Sequence, residues 1–420
     1  MAFTSLSHHL DLEFMREAFR HTRKDGAPGV DGQTAHEYAQ ALESNLERLL
    51  NQAKSGIYRA PPVRRVHIPK GDGGETRPIG VPTLEDKVLQ RSVVMLLEQI
   101  YEQDFYDCSY GFRPRRSAHQ ALDKLWEGTM KMRGGWVVEV DIRRFFDELE
   151  HHVVRDILAL RVRDGVIKRL VGKWLNAGVL EGGQMSFPTT GTPQGGVISP
   201  LLANIVLHHV IDQWWHKQIL PRLGRPALLV RYADDLVLVF KDKREAERVM
   251  AVLPKRLGRF GLESHPDKTR LLDFTRPRRA KRGRDDDDKP GTFDFLGFTH
   301  YWGKSRKGRR VIKKKTAATR IRRTLKSVNQ WLKRNRHSKV AWQHDRLSRL
   351  LRGHDSYFGL TGNYRQMAVL REQVTRLWRK WLNRRSWKAR MPWSRFKLLL
   401  QRYPLPKPRV VHSIYHAAKP

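Results

Sequence analysis

An α+β body that gives way to a basic, helical C-terminal part is the fold class this 420-residue chain predicts. Short apolar strands alternate with helical stretches from Pro61 to about Phe240. Two of the strand segments carry aspartates at their ends, and after Thr316 apolar residues recur at three- and four-residue steps. Hydrophobic residues make up 40% of the chain, enough for real cores, and the length predicts two or three domains.

Leu10 to Ser55 reads as helices around a Gly- and Pro-rich loop, Lys24 to Gly32. The run from Trp136 to Ile142 is an apolar strand that reaches a carboxylate at Asp141, and Arg143, Arg144, Phe145 and Phe146 follow it. From Leu228 to Phe240 two apolar runs flank Asp234 and Asp235, the pattern of a β-hairpin with acids at its turn. Arg276 to Gly291 includes four consecutive acids, Asp285 to Asp288, and reads as an exposed insertion. The stripes Ile321, Leu325, Val328, Leu332 and Met367, Leu370, Val374, Leu377, Trp381 predict amphipathic helices. Between them Arg320, Arg322, Arg323, Lys326, Arg376, Arg379 and Lys380 form a basic outer face. Four prolines from Pro392 to Pro408 punctuate a short basic end. The predicted domains are therefore residues 1–60, 61–300, 301–385 and 386–420.

Charge narrows the function classes. The net charge is +38, and +31 of it follows His300, where 34 lysines and arginines face only Asp345, Asp355 and Glu372. A solvated surface would mix the two signs, whereas a near-neutral body with so basic an appendage suits a grip on a polyanion. No run of eighteen apolar residues is present, so no membrane span is expected. Met1 to Leu10 lacks a secretory leader, and Cys108 is the lone cysteine, so neither a disulfide nor a paired-cysteine zinc site is expected. A reducing, cytoplasmic setting follows, with nucleoid association through DNA and RNA.

Aligning the hairpin beside the Asp141 strand would gather three carboxylates, which repel one another and take up protons in a low dielectric. Two divalent cations would relieve that repulsion, and magnesium, an oxygen-seeking ion that shares its ligands with phosphates, fits. Read alone, the Asp-Asp pair is as readily an ordinary turn, because aspartate tolerates turn geometry.

Tyr232-Ala233-Asp234-Asp235 resembles the catalytic block of reverse transcriptases, specifically those encoded by group II introns. The resemblance extends through Arg65–Lys70, Arg77–Pro82, Ser109–Pro114, Ser117–His119, Gly191–Ile205, Pro266–Thr269 and Phe295–Phe298, covering residues 24–300. It implies a right-hand polymerase of fingers and palm with an α-helical thumb and a short DNA-binding tail. The implied metal ligands are Asp141, Ile142, Asp234 and Asp235, for two magnesium ions that manganese could replace. Lys268 corresponds to the lysine that protonates the leaving pyrophosphate. Lys70 and Arg77 correspond to the cations that hold the triphosphate, Phe146 to the aromatic gate against a ribose 2′-hydroxyl, and Gln194 to the glutamine beside the sugar. Arg113 and Arg115 border the template in this family, and Leu296-Gly297 resembles the primer grip. Arg322, Arg323, Lys326, Arg379 and Lys380 would bind RNA through phosphates. The loop around Gly26 to Gly32 resembles one that covers the template, although a plain connector fits nearly as well.

The implied partners are group II intron RNA, an RNA template, a DNA primer or target and deoxynucleoside triphosphates. Relatives often end in an HNH nuclease with cysteine pairs, and no such pairs occur here, so a type lacking that domain is expected. Three rivals stay open: a splicing-only RNA-binding maturase, an RNA-synthesising polymerase, which the bulk of Phe146 opposes, and an intron-free reverse transcriptase of repair or defence.

Overall fold

The structure describes residues 2–69, 76–187, 190–191, 195–277, 291–386, 388 and 390–413. The computed structural model forms two compact units that divide between Thr275 and Arg276. The strands of the first unit are β1 (Val63–Pro69), β2 (Thr76–Val81), β3 (Gly134–Asp141), β4 (Val179–Glu181), β5 (Gln184–Ser186), β6 (Ala227–Tyr232), β7 (Asp235–Phe240) and β8 (Arg270–Thr275). They make two four-stranded sheets, one in the order β2-β1-β4-β5 and one in the order β6-β7-β3-β8.

The second of these sheets is antiparallel throughout, with β3 paired to β7 on one side and to β8 on the other. Leu236 to Phe240 are all buried, which explains why β7 reads as an unbroken apolar run: both of its faces are covered. Helices Ala118–Lys131 and Lys243–Gly258 pack on this sheet. Ser117 and Gln120 close a capping box on the first helix, and Asp242 caps the second by accepting the Glu245 N–H. Leu84–Asp104 runs through the core, capped by Thr83 and buried at positions from Leu84 to Tyr101. The N-terminal zone is helical as expected, over Leu12–His21, Ala35–Ala39 and Leu42–Ser55.

The second unit has a three-stranded sheet of β9 (Phe293–Phe295), β10 (Phe298–Lys304) and β11 (Arg310–Thr316), with β10 in the middle. Helices Ala318–Arg334, Val340–Phe358, Tyr364–Leu382 and Trp393–Arg402 follow. Their stripes meet as predicted: Val328, Leu332, Leu370, Val374 and Trp381 are buried together with Trp378, Phe396 and Leu405. Trp378 and Trp381 direct their indole N–H groups at Gln343 Oε1 (2.8 Å) and Asn329 Oδ1 (2.9 Å), so these tryptophans are core residues. Asn363, fully buried, locks sheet to helices by accepting the Thr316 N–H (2.9 Å) and donating to Thr316 Oγ1 (2.8 Å). The predicted boundary at residue 300 falls inside β10, whose sheet lies with the helices in the second unit. Asp285 to Asp288 lie outside the described residues. Among the described residues no helix is long and apolar enough to cross a membrane.

Candidate active site

The strand register brings the carboxylates together. Asp141 ends β3 directly opposite Asp235, the first residue of β7. Tyr232 pairs with Asp235 across the β6–β7 hairpin, leaving Ala233-Asp234 as a two-residue turn. Tight hairpins of this length match strand twist with left-handed residues, and Ala233 accordingly has φ +53°. A non-glycine residue there costs on the order of 1–3 kcal/mol, a strain that surrounding contacts must hold. One of those contacts is Gly111, where a Cβ would lie 2.4 Å from the Ala233 nitrogen. Any side chain at 111 would therefore push on the Ala233-Asp234 turn.

Asp141 and Asp234 are half-buried and Asp235 is exposed. Burial raises the Asp234 carboxyl above the ordinary range, and Asp141 adds to the shift, against its own backbone N–H and the cations Arg77 and Arg231. Lys268 Nζ donates to Asp141 Oδ2 at 2.9 Å, and the turn that carries it is fastened by the His265 N–H to the Asp141 carbonyl (2.8 Å). The four residues expected to do the chemistry thus share one end of one sheet. Among the described residues no three His, Cys, Asp or Glu side chains close on a single point as a metal cluster. Asp141 instead holds Lys268. The donor set nonetheless fits a hard divalent cation: it is carboxylate oxygen throughout, and it carries more negative charge than Lys268 balances. Ile142, beside Asp141, is buried and bridges to Ser264.

A buried ion pair supports the turn from behind. Arg231, wholly buried in β6, donates to Asp212 at 2.8 and 2.6 Å, to Asn204 Oδ1 at 3.0 Å and to the Ala233 carbonyl at 3.1 Å. Burial works to raise the Asp212 carboxyl, and the guanidinium overrides it, holding the group down at about 2. Asn204 also donates to the Gly111 carbonyl at 2.7 Å, so one network braces the turn and the glycine packed on it. Sequence reasoning passed over Arg231, although a cation within an apolar strand was a signal. Removing one partner of a buried pair costs about 3–5 kcal/mol. Arg231→Leu is therefore expected to lower the thermal midpoint sharply and to lose extension with it; a melting curve like that of wild type would remove the ion pair from this role.

After Asp141, Phe145 is buried while Phe146 is half-buried, edge-on to it at 5.3 Å between centroids. Arg77 lies on β2, near enough for its charge to act on Asp234. Gly191 (φ +86°) and Gly195 (φ +113°) run so close to their neighbours that a Cβ would meet the Asp147 carbonyl at 2.9 Å and the Gly80 carbonyl at 2.4 Å. Lys70 and Gln194 lie outside the described residues.

Two expected nucleic-acid contacts need correction. Arg113 is 6% exposed, forks onto Glu102 (3.0 and 2.9 Å) and donates to the carbonyls of Tyr106 and Ser109 (both 2.9 Å). Its donors serve the fold, and it does not face a template; Arg115 and Phe112 of the same block are exposed. Arg379 is half-buried, donates to the Met391 carbonyl at 3.0 Å and stacks over Trp393 at 4.3 Å, so it clasps the last helix to its neighbour. Arg322, Arg323, Lys326 and Lys380 are exposed as expected. In the second unit Leu296-Gly297 forms the β9–β10 turn with both φ positive (+50° and +81°), and Tyr357 donates to the Leu296 carbonyl at 2.8 Å.

An α+β unit with three aspartates and a lysine at one end of a sheet agrees with a nucleotidyl-transferring polymerase. Residues 68–300, more than half the chain, match the reverse transcriptase (RNA-dependent DNA polymerase) family. The chain belongs to that family and is an RNA-directed DNA polymerase. Protein YkfC of Escherichia coli K12 is 35% identical over 293 residues, 62% of this chain and 76% of that protein. The group II intron-encoded protein LtrA of Lactococcus lactis subsp. cremoris is 42% identical over 171 residues, 40% of this chain but 28% of LtrA. Nuclear intron maturase 2, mitochondrial, of Arabidopsis thaliana is 24% identical over 230 residues, 46% of this chain and 30% of that protein. The matched stretch therefore spans less than a third of either intron-related protein.

Proposed function

We propose that this chain copies RNA into DNA from a primer 3′-hydroxyl at Asp141, Asp234 and Asp235, and that its basic second unit binds group II intron RNA as a splicing maturase. The observation that carries the polymerase mechanism is the pairing of Asp141 with Asp235 beside the Asp234 turn, with Lys268 on Asp141. Two magnesium ions, when bound, would activate the primer hydroxyl and neutralise the departing pyrophosphate.

The chain's own groups do the rest. The three carboxylates and the adjoining Ile142 would hold the ions. Lys268 Nζ carries a proton within reach of the site and delivers it to the leaving pyrophosphate. Arg77, with Lys70, holds the triphosphate by charge-assisted hydrogen bonds, and Gln194 lies beside the sugar. Phe146 fills the volume that a 2′-hydroxyl would need. Extension of a DNA primer on an RNA template with magnesium tests the first half of the proposal. The second half predicts that adding the chain to a precursor RNA with its group II intron raises the yield of spliced exons; an unchanged yield would leave the polymerase reading alone standing.

Sugar selection can be tested separately. Phe146→Val removes ring volume without adding a polar group, so ribonucleotide incorporation relative to deoxyribonucleotide should rise about a hundredfold, the scale of discrimination by pocket shape. Unchanged discrimination in single-nucleotide incorporation would dismiss Phe146 as the gate.

A further inference from the structure

We propose that Asp86 and Gln90 are positioning residues for the nucleotide-binding loop, because the Asp86 carboxylate sets which side of the Gln90 amide meets the Ile198 backbone N–H. The inference rests on the proposed role of Gln194, between Gly191 and Ile198 in the chain, beside the sugar of the incoming nucleotide.

Asp86 lies in the first turn of Leu84–Asp104 and is 1% exposed. Three neutral donors hold its carboxylate: the Tyr58 hydroxyl (2.5 Å) and Trp174 Nε1 (2.7 Å) on Oδ1, and Gln90 Nε2 (3.0 Å) on Oδ2. Burial pushes the group up to about 6, and these donors work against that shift. A carboxylate buried on neutral donors is an expensive way to fill space, since an apolar cluster of the same volume carries no desolvation cost. Its geometry supplies what an apolar cluster lacks. An ionised carboxylate only accepts, so Gln90 must turn its NH2 toward Asp86 and its Oε1 the other way, where it accepts the Ile198 N–H at 3.2 Å.

Ile198 closes the loop and begins helix Ser199–Leu207. At the loop's other end the Gly191 carbonyl accepts from His151 Nε2 at 2.7 Å, and the Gly191 N–H donates to the Leu149 carbonyl at 2.8 Å. The loop is thus pegged at both stems, by His151 and by Gln90. Around the second peg the packing is close: a gap of about 10 Å³, bordered by Asp86, Gln90, Trp174, Gly196 and Ile198, has room for at most one water. The helix that starts at Ile198 also carries Asn204, which bonds the Gly111 carbonyl and Arg231 behind the catalytic turn. A stem that slipped at Ile198 would displace the nucleotide loop relative to that fixed turn.

An amide at position 86 would turn its NH2 to Gln90, invert that amide and set donor against donor at Ile198. Asp86→Asn is therefore expected to raise KM for the deoxynucleotide about tenfold, the effect of one buried donor left unpaired. Under the same conditions kcat and the Kd for primer-template duplex should stay within about threefold. The double variant Asp86→Asn/Gln90→Glu exchanges acceptor and amide. The carboxylate then stands at position 90 and accepts both from the new amide at position 86 and from the Ile198 N–H, so KM should return to near the wild-type value. Extension by the wild-type chain establishes the polymerase reading first, so a difference among variants bears only on the anchor. A folded Asp86→Asn variant with wild-type KM overturns it. So does a double variant that fails to recover both the melting temperature and KM, which keeps the test decisive even where the single variants do not fold.

Discussion

Asp234→Asn is expected to abolish magnesium-dependent extension of a DNA primer on an RNA template, by at least about a thousandfold, roughly 4 kcal/mol of transition-state stabilisation. The variant should bind the primer-template duplex as wild type does, because Asp234 is an acid at the turn and contributes no cation to the grip. Its stability should move the other way from its activity. Burial and Asp141 raise the Asp234 carboxyl, so the ionised form is disfavoured in the folded chain relative to the unfolded one. A folded pKa above the unfolded value means stability present at low pH and lost as pH rises through the unfolded value toward the folded one. At neutral pH without divalent ions, asparagine removes that cost, and the melting temperature should hold or increase. A variant that extends within tenfold of wild type would dismiss the metal-site assignment. One that loses extension together with its fold would reduce Asp234 to a structural turn residue.

The gathering of the carboxylates was legible because its signal is local. Asp141 and Asp235 end apolar strands, and their pairing needs only that two such strands lie side by side. The thumb-like stripes were legible for the same reason, since a 3.6-residue period announces the buried face of a helix whatever it packs against. Illegible were the charges whose meaning depends on a distant partner. Arg113 faces Glu102, Arg231 faces Asp212, and Asp86 is held by Tyr58 and Trp174 from elsewhere in the chain. No local pattern says whether such a charge points at a phosphate or at a buried acid. Burial decides, and two weak local signals were available: Arg231 interrupts an apolar strand, and Asp86 begins a helix buried almost throughout. The unit boundary was misplaced for a related reason. The expected boundary at residue 300 put β9 with the first domains and β11 with the helices, whereas the three strands share one sheet of the second unit and Asn363, a single buried amide, ties β11 to the helices after it.

Reversing four exposed cations of the second unit, Arg322, Arg323, Lys326 and Lys380 to Glu, is expected to weaken binding to structured intron RNA about a thousandfold and to flatten its salt dependence. Most of the chain's net charge, +31 of +38, follows His300, and these four side chains stand on the outer faces of helices Ala318–Arg334 and Tyr364–Leu382. Each phosphate contact contributes a little under one unit to the slope of log affinity against log salt, so losing four should reduce the slope by about three. Arg379 is left in place because it clasps Met391 and Trp393, and its loss would loosen the last helix instead of removing a phosphate contact. Deleting the tail is a poorer test for the same reason: a cut after Lys314 would sever β11, which pairs with β10 along its length. The four reversals leave the packed side chains Val328, Leu332, Val374 and Trp378 untouched, so the fold should survive, with a melting curve near that of wild type. Extension should then fail through weakened template-primer binding and recover at high enzyme concentration, because the aspartates of the first unit are unchanged. The rival account holds that these charges are only solvated while the apolar stripes do the structural work. It predicts wild-type RNA affinity and salt slope from a folded variant, and that result would remove RNA binding from these helices.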